Sequence, residues 1–163
     1  MNEQTSIRLG IITSRFGKAS GPPVDSVQAW LAAYEDLRSG VLRTAMTEIG
    51  DILSSAGHGC AVVIDAEPSA CSIDLVVTPW GAADKQRRVR FFTHRDPHRG
   101  QQIVAHVWLQ KTPAEMTRFE RPEEVTPEVA EQVLVDALEQ IFASAASQAR
   151  REQPGHEPHE QRS

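Results

Sequence analysis

RVRFFTHRDPHRG, residues 88 to 100, concentrates the side chains most able to do chemistry: four arginines, two histidines and two phenylalanines within thirteen residues. Three uses fit those residue types. Arginines interleaved with aromatics suit single-stranded nucleic acid, because guanidinium groups meet phosphates while rings stack on bases. His94, Asp96 and His98 offer a small acid–base or metal-binding set. A hairpin with a polar, aromatic outer face can also dock a protein without any chemistry of its own.

Spacing separates these readings. RRVRFFTH and QQIVAHVWL alternate as strands, so Val89, Phe91 and Thr93 share a face with Ile103, Ala105, Val107 and Leu109. Arg88, Arg90, Phe92 and His94 then form the opposite face, with Gln102, Val104, His106 and Trp108 across from them. His106 falls opposite Val89 or Arg90, some ~15 Å from the hairpin tip at the strand rise, so it does not join His94 and His98 in a three-ligand zinc set. RDPHRG reads as a turn, in which Asp and Pro set the backbone and Gly100 supplies a positive φ. His58 beside Cys60 is an isolated pair, and His156 and His159 fall in a polar tail. Glu123, Glu124, Glu128 and Glu131 gather where negative charge favours a helix start, which makes them a solvated cap. The sequence carries no Gly-rich phosphate loop, GxSxG elbow, HExxH or CxxC pair. No cofactor is expected.

The elements that must position the outward row are legible from periodicity. Val27, Trp30, Leu31, Tyr34, Leu37, Val41, Leu42, Ala45, Met46, Ile49, Ile52 and Leu53 recur at three- and four-residue steps, which predicts one long helix over 25–55. Asp25 or Ser26 is the expected cap. Gly40 and Gly50 each weaken the helix by about 1 kcal/mol relative to alanine and mark places for a kink. Four strands follow at 60–66, 72–78, 87–94 and 101–109, bounded by Pro, Gly and Asp in the manner of an antiparallel meander. KTPAEMTRFERPEE reads as an irregular connection. A second helix spans 126–147, capped by Thr126 with Pro127 in its first turn. The expected fold is α+β: a four-stranded antiparallel meander with both helices on one face, and a possible fifth strand from the N-terminal arm. Residues 1–24 form that arm, 25–147 a single α-β4-α domain, and 148–163 a disordered polar tail. The order of elements broadly resembles small bacterial secretion-chaperone and nucleoid-associated modules, with no motif carrying the likeness.

Charge narrows the partners. The 163 residues carry a formal charge of -5, which argues against a general nucleic-acid or acidic-membrane binder. Within that acidic chain, residues 84–100 hold six Lys/Arg against two Asp, whereas 115–142 hold eight Asp/Glu against two Arg. Such asymmetry favours self-association or complementary docking. The start of the chain lacks the charged and apolar regions of a signal peptide, and no apolar run approaches the ~20 residues of a membrane span. Cys60 and Cys71 are expected as unpaired thiols, in keeping with a reducing cytoplasm. The sequence thus favours a non-enzymatic protein-interaction module, an adaptor or chaperone-like homodimer binding through the open face or edge of its sheet. The binding row is Arg88, Arg90, Phe92, His94, His106 and Trp108. A single-stranded DNA or RNA binder using the same face is the alternative, and a small hydrolase or metal protein centred on His94, Asp96 and His98 the third reading.

Overall fold

The computed structural model describes residues 24–65, 71–81 and 86–151. Helix α1 (Val24–Leu37) passes through a π turn (Arg38–Leu42) into α2 (Arg43–Ser55). Five strands follow: β1 (Gly59–Asp65), β2 (Ser72–Thr78), β3 (Arg87–Asp96), β4 (Gly100–Trp108) and β5 (Pro113–Phe119). A short 3-10 turn (Pro122–Glu124) leads into α3 (Pro127–Arg151). The sheet is wholly antiparallel in the order β1-β2-β3-β4-β5, the arrangement of an α+β meander.

Alternation explains the core. Ile73, Leu75 and Val77 of β2, Val89 and Phe91 of β3, and Ile103, Ala105 and Val107 of β4 are all buried on one face. Tyr34, Leu37, Leu42 and Met46 cover them from the first helical segment, and Ala130, Leu134, Ala137 and Ile141 from α3. Both helices therefore lie on one face, as the patterning predicts. Tyr34 also ties the layers together, because its hydroxyl donates to the Cys71 carbonyl. Burial pushes that phenol far above its ordinary pKa.

Four details differ from the sequence reading. First, the helix is already formed at Val24, so Asp25 and Ser26 sit within its first described turn. Second, the π turn around Gly40 changes the phase of everything after it. A straight helix would place Ile52 in line with Tyr34, about five turns earlier. Taking one extra residue into a turn rotates the downstream face by about 100°. Tyr34 is 1% exposed, whereas Ile52 is 68% exposed.

Third, the expected irregular connection contains β5. It pairs with β4 through a register shift: Ala105 faces Thr117 and His106 faces Glu115, which leaves Met116 as the extra residue of a bulge. The bulge breaks the period-2 pattern, and that is why the strand escapes a reading by alternation. The fifth strand is thus supplied from the C-terminal side. The N-terminal arm proposed for that role lies outside the described residues, as does the tail beyond Arg151. Fourth, α3 runs to Arg151, and Gln148 accepts a hydrogen bond from the buried Arg87 at 2.6 Å. That bond ties the helix end to β3. Thr126 caps the helix start as expected, its Oγ1 accepting from Val129 N–H.

Candidate functional site

The open face is built from the outward residues of five strands, and its register is the one alternation predicts. Arg88 pairs with Trp108, Arg90 with His106, Phe92 with Val104 and His94 with Gln102. One row crosses the whole sheet: Val63, Asp74, Arg90, His106 and Glu115. The next row is Ala61, Val76, Arg88, Trp108 and Pro113.

Asp74 organises this face. Its side chain is 3% exposed, and both arginines close over it. Arg90 grips it in a fork, Nε to Oδ1 at 2.8 Å and Nη2 to Oδ2 at 2.9 Å. Arg88 adds a third bond, Nη1 to Oδ2 at 3.0 Å. Bidentate, charge-assisted bonds of this kind fix the guanidinium plane as well as neutralising charge. They also raise the Arg90 pKa above its ordinary value. From that anchored position the Arg90 guanidinium lies 6.0 Å from the centre of the Trp108 ring. The Trp108 indole nitrogen is buried and makes no hydrogen bond among the described residues.

The other half of the face is an aromatic contact beside a second ion pair. Phe92 meets the His106 ring edge-on at 4.8 Å. Loss of water around the imidazole lowers the His106 pKa, against a smaller opposing pull from Glu115. Arg118 clasps Glu115 through Nε and Nη2, each at 2.8 Å, and donates to Gln102 Oε1 at 2.8 Å. The Arg118 hydrogen bonds hold the Glu115 carboxyl below its ordinary range.

Five of the six expected residues are thus brought together: Arg88, Arg90, Phe92, His106 and Trp108. His94 lies on the same face but further out, exposed and opposite Gln102. Asp74 and Arg118 are the residues sequence reasoning missed. A lone aspartate in SIDLVVT, at an outward position between apolar neighbours, was the available signal for the first.

The turn RDPHRG behaves as its composition implies. Asp96 Oδ1 accepts from the backbone N–H groups of His98 and Arg99, and these bonds lower its pKa. Gly100 takes φ 81. Asp96 is therefore occupied with backbone, and no group of three or more His, Cys, Asp or Glu side chains is placed to hold a metal among the described residues. His58 accepts from the Trp80 backbone N–H at 2.9 Å and tilts against Phe142, a structural pairing. Cys60 and Cys71 are not joined in a disulfide. Glu124 accepts from the backbone N–H groups of Glu120 and Arg121, so this member of the acidic cluster serves as a cap. No described helix is long and apolar enough to cross a membrane. No family model, curated protein or solved structure matches the chain.

Proposed function

We propose that this chain is a protein-interaction module, an adaptor or chaperone-like homodimer that receives a segment of another protein on the open face of its sheet. The observation that carries the reading is the capture of Arg88 and Arg90 by Asp74. Two arginines that look free in the sequence share one buried counter-charge, which holds both guanidinium groups in place and offsets half of their charge. A polyphosphate would have to compete with a buried carboxylate for them, whereas a protein segment meets a pre-ordered surface of mixed charge. Phe92 and Trp108 supply apolar area at its centre, flanked by the Glu115–Arg118 pair. Rigid aromatic and arginine anchors surrounded by polar groups are what protein interfaces favour. The shared carboxylate also lowers the positive charge this face offers to phosphates, which weakens the case for single-stranded nucleic acid.

The test is co-purification of tagged full chain from its native host, followed by reconstitution with the protein it retains. Phe92→Asp and Trp108→Ala should weaken that reconstituted complex at least tenfold, a usual size for loss of a central anchor. Fluorescence anisotropy with mixed-sequence single-stranded oligonucleotides at low salt should show no binding. Salt-sensitive oligonucleotide binding that weakens in Arg90→Ala would overturn the reading in favour of nucleic acid.

A further inference from the structure

The two edges of the sheet differ in how they are protected. β5 begins with Pro113, carries Glu115 and Arg118 and is broken by the Met116 bulge. Proline, charge and a bulge are the usual means of blunting an edge. β1, GCAVVID, has none of these before its final Asp65 and pairs with β2 in seven uninterrupted steps. Val63 and Ile64 of this strand are 48% and 40% exposed. Among the described residues, nothing pairs with the outer side of β1.

We infer that the β1 edge is the self-association surface: β1 pairs antiparallel with β1 of a second copy across a two-fold axis through Val62, joining the two sheets into one. This deepens the self-association part of the proposed function and makes no use of the open-face partner.

The strand is self-complementary in that register. Val62 meets Val62, Cys60 meets Ile64 and Ala61 meets Val63, so every central pair is apolar. Asp65 falls opposite Gly59, and no like charges face each other.

The helix above fits the same axis. A methyl placed on Gly50 would lie 3.8 Å from both Cys60 Cβ and Leu75 Cδ1, which puts α2 over the space between β1 and β2. With strands spaced about 4.8 Å, two such helices related by the axis would lie roughly 10 Å apart, the ordinary helix-packing distance. The twist accumulated over two strand spacings, about 45°, is close to the crossing at which i, i+4 rows interdigitate.

One flank of α2, with Ala45, Ile49 and Ile52, turns toward Pro127 and Glu131 at the start of α3. The opposite flank therefore overhangs β1 and carries the exposed i, i+4 row Arg43, Thr47 and Asp51. Two residues of strand from Cys60 to Val62 span about as far as four residues of helix. Gly50 stands at the level of Cys60, so the axis crosses α2 near Thr47. Arg43 and Asp51 lie one step to either side of it. Each Arg43 then faces the other copy's Asp51, a charge match repeated by the symmetry.

The experiment is sedimentation equilibrium of the full chain between about 1 and about 100 µM. The expected result is a dimer whose dissociation constant rises about tenfold or more in Arg43→Asp and in Asp51→Arg, with recovery when both reversals are combined. Both changes sit at exposed helix positions, so the fold should survive in either single variant and in the double, and circular dichroism checks that it does. Ala61→Lys with Val63→Lys should dissociate the dimer by facing like charges across the axis. A chain that stays monomeric throughout would overturn the inference, including one in which residues 1–23 fill the edge. So would a dimer indifferent to these substitutions, or single reversals that the double variant fails to rescue. Phe92→Asp and Trp108→Ala should leave the dimer intact, so loss of partner binding and loss of dimerisation are read separately.

Discussion

Phe91 and Phe92 are neighbours in the chain and opposites in the molecule. Phe91 is fully buried against the helices, while Phe92 stands half-buried on the open face against His106. The core face is held by apolar contact spread over many residues, so no single one dictates its arrangement. The open face is held by a few directional bonds around Asp74 and Glu115. The first kind of order resists change by packing density; the second depends on particular partners.

The difference can be tested by removing one side chain at a time. Phe91→Ala should have the largest effect, about 3–5 kcal/mol of unfolding free energy by urea titration, through the cavity it leaves. Asp74→Ala should follow at about 2 kcal/mol, because two guanidinium groups lose their shared counter-charge. This is below the figure for a fully buried pair, since Arg88 and Arg90 keep about a third of their surface in water. If Asp74→Ala proves harmless, the open face is not organised as described. Phe92→Ala should cost about 1 kcal/mol or less, and a loss equal to that of Phe91→Ala would erase the distinction between the faces.

The smallest effect concerns pH. His106 has a lowered pKa in the fold, so the folded state binds that proton less readily than the unfolded chain. Its contribution to stability is present above the ordinary histidine range and is lost as pH falls through the folded pKa. His106→Gln should therefore flatten the fall in urea midpoint between about pH 7 and about pH 5. An unchanged slope would show that the imidazole is not desolvated by its neighbours.

Where order comes from periodicity, the sequence is easy to read. The helix stripe as far as Leu37, the Thr126 cap, the turn at Asp96 and the pairing of β3 with β4 all follow from local rules. Three features resist that approach. Met116 breaks the alternation of β5, Gly40 lies in a turn that shifts the helix phase and turns Ile52 outward, and Asp74 meets its arginines only after β2 and β3 pair. The first two are departures from a regular period. The third is a contact between residues distant in the chain, which no local window contains. The candidate site was visible as a list of outward side chains, and its charge balance was not.

The Met116 bulge also bears on stoichiometry. A sheet with two receptive borders can add copies without limit, and that is how fibres grow. Here one border is regular and the other is interrupted by proline, charge and the extra residue. Addition at β1, as inferred above, would use up the receptive border of both copies at once and leave two blunt ones outside. Propagation would then end at the first step, with the bulge adding to the proline and the charges that impose the stop.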